Sequence, residues 1–193
     1  MRIGIFGGSF NPIHVGHITL AHQLCQLAKL DEVWLMVSPQ NPLKQGRNDL
    51  LDDRLRFQLA RLALHGEEKI VASDFELKLP KPSYTWNTMQ CLRQAFPHDT
   101  FLLLIGGDNW QNFHRWYHAD DILREYQLVV YPRRGSENSY QSVPENVTIA
   151  ETDLLDVSST DIRQRIECGE AIADLVPKTI VPLVRRLYSV AKP

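Results

Sequence analysis

The sequence has only three cysteines in 193 residues, Cys25, Cys91 and Cys168, far apart and odd in number. They form neither a CxxC pair nor a secreted-type disulfide framework, and they read as buried thiols. Positive charge is not in excess either: 21 Lys and Arg stand against 23 Asp and Glu, a formal net charge of −2. With no global positive field, neither nucleic acid nor an anionic membrane is expected as the main partner, and any anion site must be local. No apolar run approaches the ~18 residues of a membrane span, and the opening MRIGIFGGSF is too short in apolar residues for a signal peptide. These absences predict a soluble, cytoplasmic protein. Repeats and low-complexity blocks are missing too, and the length fits one domain, 1–193.

What is present is an alternation. Ile3–Phe6, Val33–Val37, Phe101–Ile105 and Leu128–Tyr131 are short, branched or aromatic runs ending at Gly, Ser or Pro, as buried parallel strands should; Ile70–Ala72 and Val147–Ala150 are weaker candidates. Helical stripes lie between them: Leu20, Leu24, Leu27 and Ala28; Leu55, Leu59 and Leu62 behind Asp52-Asp53; and Trp86, Met89, Arg93 and Phe96. The polar segment from Arg133 to Asn146 reads as a surface connection. Near the C-terminus Pro177 suits a first helical turn, whereas Pro182 should kink or restart the helix. The fold class is therefore α/β, a doubly wound and mostly parallel sheet over about residues 1–155, with a short C-terminal helical cap over about 156–193.

The stretch GGSFNPIHVGH, Gly7 to His17, falls at the first strand-to-helix turn, where open α/β sheets bind phosphates. Gly7 and Gly8 can take a positive φ and carry no Cβ to hold off a ligand, Asn11-Pro12 turns the chain, and His14 and His17 sit three apart at a helix start. Neither GxGxxG nor GxxxxGK[ST] occurs, so this is a different nucleotide turn. The plainer reading is a tight loop with two incidental histidines; a metal pair lacks a third ligand at standard spacing. Far downstream, VSSTDIRQRI places Ser158, Ser159, Thr160 and Arg163 at a second helix start, with Ser158 as cap and Asp161 as its box partner.

These two elements resemble the HxGH signature and the ISSTxIR element of the nucleotidyltransferase superfamily, with Ser9 and Asn11 standing where Thr and Asp are frequent. PSYTWNT (82–88), LIGGDN (104–109), FHRWYH (113–118) and the tail LVPKTIVPLVRRLY add a resemblance to bacterial nicotinate-nucleotide adenylyltransferases over nearly the full length. That resemblance implies a Rossmann-like nucleotidyltransferase fold, with ATP and nicotinate mononucleotide as substrates and Mg²⁺ carried in with ATP, so no metal ligand is assigned to the protein. His14, His17 and Arg163 would be catalytic. Gly7, Gly8, Ser9, Phe10, Gly106, Asp108, Ser158, Ser159 and Thr160 would bind ATP, the C-terminal segment completing that site. Lys44, Tyr84, Thr85, Trp116, Tyr117 and Arg133 would bind the acceptor, Trp116 by stacking on the pyridine and Thr85 by holding the carboxylate. Lys44 lies in NPLK where the family often reads PPHK, which leaves its flanking contacts open.

Plainer readings stand beside these. Trp116 could also be a core aromatic, Asp108 a helix cap and Arg133 an exposed charge, while His114 and His118, i and i+4 if helical, are not expected to hold zinc. Rival functions are an adenylyltransferase for another acceptor, nicotinamide mononucleotide or phosphopantetheine, and a non-catalytic nucleotide sensor. A homo-oligomer formed through the tail helices is left open.

Overall fold

The computed structural model describes residues 1–39, 50–133, 143–153 and 156–189, so Lys44 and positions 134–142 of the polar connection lie outside the described residues. Six strands form one sheet, β1 (Arg2–Gly8), β2 (Glu32–Val37), β3 (Ile70–Ser73), β4 (Thr100–Gly106), β5 (Gln127–Tyr131) and β6 (Val147–Ile149), in the order β3-β2-β1-β4-β5-β6. Every pairing is parallel, with Phe6 opposite both Leu35 and Leu104 in register. The chain winds outward from β1 to one edge, returns to β4, and winds to the other. That reversal opens a crevice at the carboxyl ends of β1 and β4, where open α/β sheets bind their ligands.

Helices cover both faces. On one side lie α1 (Val15–Leu27), α2 (Asp53–Ala63), α6 (Ser159–Glu167) and α7 (Val181–Ser189), packed through Leu24, Leu59, Ile162 and Val184. On the other lie α3 (Thr85–Ala95) and α5 (Ala119–Glu125), packed through Met89, Leu92 and Ile122, while the short α4 (Gly107–Gln111) follows β4 directly. Because β1 alternates, Phe6 enters the first layer while Ile3 and Ile5 enter the second. Each fully buried Leu or Ile contributes about 1.5–3 kcal/mol by leaving water. Among the described residues no helix is long and apolar enough to cross a membrane.

All six expected strands form, including the two weaker ones. The helical stripes are rotated from their expected faces. Leu27 and Leu62 stay exposed, and Arg93 turns outward to pair with Glu125 at 2.7 Å, because the sheet is met by Thr88, Met89 and Leu92 on α3 and by Arg56, Leu59, Ala60 and Ala63 on α2. The cysteines correct the reading of buried thiols: only Cys25 is buried, Cys91 is half-buried, and Cys168 is exposed at the end of α6. Pro182 restarts the helix as expected, falling in the first turn of α7 behind a 3₁₀ turn over Lys178–Ile180 that Pro177 precedes.

Candidate active site

Gly7 and Gly8 are not turn residues. They end β1 in extended backbone opposite Met36 and Val37, and the left-handed residue of the turn is Phe10, at φ 44°. The glycines act through missing bulk: a Cβ on Gly8 would lie 2.9 Å from the Phe10 ring, and one on Gly7 would project into a cavity, its nearest neighbour Ser38 Oγ at 3.8 Å. Phe10 itself is buried, edge-on to Phe6 at 5.8 Å and to His17 at 4.9 Å. Its ring therefore buttresses the histidine from behind.

Distant side chains tie down the carbonyls of this turn. The fully buried Arg56 donates to Ser9 O, to Ser38 O and Leu51 O, each at 2.9 Å, and to Asp53 at 2.6 Å. Arg163 donates to Asn11 O at 2.8 Å and Ser159 Oγ to Pro12 O at 2.9 Å, which joins the two signatures directly. From α7, Tyr188 donates to Asn11 Oδ1 at 2.7 Å, and the Leu51 amide donates to the same oxygen at 3.1 Å. In a planar trans peptide C=O and N–H point oppositely, so holding Ser9 O toward Arg56 turns the Phe10 N–H away from it.

His14 and His17 cap α1 reciprocally. The His17 amide donates to His14 Nδ1 and the His14 amide to His17 Nδ1, both at 3.3 Å, with the rings stacked at 3.6 Å and 22°. A nitrogen that accepts carries no proton, so each neutral ring presents Nε2–H, at its other end, as its donor. Burial, and after it the nearby Arg133 charge, push His14 down to about 3. Burial likewise holds His17 well below its usual value, followed by His14 and Arg133. Two stacked imidazolium cations would repel, so the pair is neutral in the free protein.

Both histidines line a cavity of about 550 Å³ with Asp108, Arg133 and Ser158. Ser158 caps α6 by accepting from the Asp161 amide at 3.0 Å, so the expected cap forms beside the histidines. Asp108 is exposed in the first turn of α4 and does not cap it; that place belongs to Gly106, where an added Cβ would meet Asp108 Oδ1 at 2.5 Å. Arg133 was expected at the acceptor. It lines the histidine cavity, its guanidinium 5.4 Å from the Tyr131 ring centre.

A second cavity of about 300 Å³ is lined by Tyr84, Thr85, Trp116 and Tyr117, together with Arg115 and Arg163. α3 begins at Thr85, and no side chain caps its start, so a helix N-terminus opens on this space. Trp116 is half-buried, one side against Phe113 at 5.1 Å and the rest lining the cavity, so it is both a packing aromatic and a wall. His114 sits in a 3₁₀ turn and His118 in left-handed backbone, so the two do not share a helical face. Tyr131 lines both cavities and stands where they meet.

Three contributors escaped the sequence reading. Glu76, buried, accepts from Ser38 at 2.6 Å, Ser83 at 2.9 Å and Thr88 at 3.3 Å, binding β2 to the start of α3. Arg56 had a legible signal, a lone arginine in step with Leu59, Ala60 and Ala63 on the buried face of α2. Tyr188 had none beyond its place in the tail motif. Among the described residues no three His, Cys, Asp or Glu side chains converge to hold a metal ion.

The model of the cytidylyltransferase-like family matches residues 5–165. A Bacteroides fragilis protein named "Probable nicotinate-nucleotide adenylyltransferase" is 46% identical over 171 residues, 89% of this chain and 85% of that one. A Cytophaga hutchinsonii protein of the same name is 42% identical over 191 residues, 98% and 99% of the two chains. A Plasmodium falciparum nicotinic acid mononucleotide adenylyltransferase, solved in complex with NaAD, shares the fold with a TM-score of 0.77 at 19% identity, over 97% of each chain. With the paired histidines, the α6 start and the aromatic cavity at the switch of one parallel sheet, the chain belongs to the cytidylyltransferase-like nucleotidyltransferases, in the branch of the nicotinate-nucleotide adenylyltransferases.

Proposed function

We propose that this chain transfers AMP from ATP to nicotinate mononucleotide, giving nicotinate adenine dinucleotide and pyrophosphate. The observation that carries the reading is the meeting of two unlike cavities at Tyr131, one with paired imidazole donors and a helix start, the other with an aromatic wall and an uncapped helix N-terminus. The first suits a triphosphate, and the second suits a pyridine ring bearing a carboxylate.

The acceptor phosphate is already an anion, so no general base is required. The histidines fit this, since burial keeps them neutral and their Nδ1 atoms are taken by the helix cap. Catalysis is then alignment of the acceptor phosphate with the α-phosphorus and stabilisation of the leaving pyrophosphate, to which alignment alone can contribute ~7–11 kcal/mol. His14 and His17 donate through Nε2–H, and the α6 start and Arg163 add positive potential. A divalent cation accompanies ATP in nucleotidyltransferases. We take it to be Mg²⁺, which offsets phosphate charge when bound; the carboxylates of Asp108, Asp153 and Asp156 along the histidine cavity are hard oxygen donors suited to its water shell. The described part of the C-terminal segment, 156–189, belongs to the same unit as the sheet, a reading supported by the bonds from Ser159, Arg163 and Tyr188 to the opening turn.

The test incubates the protein with ATP, Mg²⁺ and, separately, nicotinate mononucleotide, nicotinamide mononucleotide and phosphopantetheine, and measures pyrophosphate. The acid mononucleotide is expected to lead the amide by about 100-fold in kcat/KM, because an amide sets its own N–H donors against those of α3. Equal values for acid and amide would remove the carboxylate assignment. No release with any acceptor would leave a nucleotide sensor.

A further inference from the structure

The acceptor cavity has two walls from separate parts of the chain, Tyr84 and Thr85 at the start of α3, and Trp116 and Tyr117 ahead of α5. Between them stands His118. Its backbone is left-handed, φ 56° and ψ 40°, a conformation uncommon outside glycine that persists where its surroundings hold it. Three contacts do so. Nδ1 lies 2.5 Å from Asp121 Oδ2, the ring stacks on Trp86 with centres 5.4 Å apart and planes at 22°, and it meets Tyr117 edge-on at 4.2 Å and 90°. Trp86 directly follows Thr85, and Tyr117 directly follows Trp116, so the imidazole joins the neighbours of both proposed acceptor contacts. The Tyr84 and Tyr117 rings, 4.8 Å apart, continue the same seam.

We infer that His118 is a positioning residue for the acceptor, its ring setting the distance between the α3 start that takes the carboxylate and the Trp116 face that takes the pyridine. The inference rests on the acceptor assignment above. It concerns that substrate alone, since Trp86, Tyr117 and Asp121 are all absent from the lining of the histidine cavity. A strained residue one position beyond the wall suits such a task, because precise placement of a binding group depends on the packing of the residues behind it.

Two substitutions separate the ring from the backbone. His118→Asn keeps a residue that tolerates left-handed backbone and can still bond Asp121, but removes the ring. His118→Phe keeps a ring and removes the bond, and Phe10 already occupies a positive φ in this fold. The Asn variant should raise the KM for nicotinate mononucleotide, and its Kd measured without ATP by tryptophan fluorescence, about five- to tenfold, with the KM for ATP and the Tm unchanged. The Phe variant should bring both back to within about twofold of wild type, the ring contact being restored. An Asn variant with wild-type acceptor KM and Kd, or one in which the KM for ATP rises in step, overturns the inference by itself. So does a Phe variant no better than Asn at unchanged Tm. A wild-type protein that binds the mononucleotide but makes no dinucleotide sinks the proposed function alone, and the Kd series still decides the role of His118.

Discussion

The two cavities are bounded in opposite ways. The histidine cavity is fixed by hydrogen bonds, some arriving from far along the chain, Ser159 and Arg163 to the carbonyls of Pro12 and Asn11 and Tyr188 to the Asn11 side chain, and two made locally by backbone amides to the imidazoles. The acceptor cavity is walled by aromatic rings touching ring to ring, with Tyr84 and Tyr117 partly in solvent. Directional bonds hold donors at set points, as a developing charge requires, whereas stacked faces define a slot by shape and tolerate sliding. The first region should therefore govern the rate of chemistry and the second the choice of acceptor.

The largest expected effect separates those roles. His17→Ala should lower kcat by about 100-fold with little change in acceptor KM, because a donor to the transition state is lost. His17→Asn sharpens the point: its side-chain oxygen can replace Nδ1 in the helix cap but supplies no Nε2–H, so steady-state kinetics should show the same loss in kcat at wild-type Tm. A variant retaining more than half of wild-type kcat would remove His17 from the mechanism.

Next comes the pH dependence of stability. The folded state holds His14 at about 3 against 6.5 unfolded, so the unfolded chain binds more protons between these values. Stability is complete above 6.5 and falls with acidity at ~1.4 kcal/mol per pH unit, about 2 kcal/mol by pH 5. Chemical unfolding from pH 8 to pH 5 checks this, and His14→Asn should make the profile less steep without levelling it, since His17 is also held well below its usual value. A slope unchanged by that substitution would assign the acid sensitivity elsewhere.

Smaller still, Trp116→Ala should raise the KM for the acid and amide mononucleotides alike by about tenfold, with the KM for ATP within twofold, since stacking on the pyridinium ignores the substituent. A change confined to one acceptor would mean that the indole reads the carboxylate. Tyr188→Phe should cost about 1 kcal/mol of stability in urea unfolding and leave acceptor KM unchanged. A shift in acceptor KM would show that the two regions are coupled through α7.

How much of this was legible depended on the range of the interactions. The strands could be read because a strand buried on both faces is apolar throughout, whichever way it is turned. His14, His17 and the α6 start could be read because their work is local, a side chain capping the backbone three residues away. Glu76 could not be read, and Arg56 only as an arginine on a buried helix face, since a buried charge's role is set by its partners, and Ser9, Ser38 and Ser83 reach them only in the folded chain. Which cavity Arg133 lines was not legible, because sequence puts it after β5 without saying which crevice its side chain meets. Of the two reasons the sequence offered for Gly7 and Gly8, a positive φ and a missing Cβ, only the second appears in the fold, because both residues stay in extended backbone at the end of β1.

The bond from Tyr188 to Asn11 spans 177 positions. A chain emerging from the ribosome presents the glycine turn first, yet the helix carrying Tyr188 must leave the exit tunnel before that turn can be secured. Synthesis at ~5–20 residues per second puts roughly 9–35 seconds between the two. During that interval all six strands of the sheet have been made, yet the Asn11 side chain still lacks its hydroxyl donor, so the opening turn is among the last parts of the fold to gain its full set of bonds.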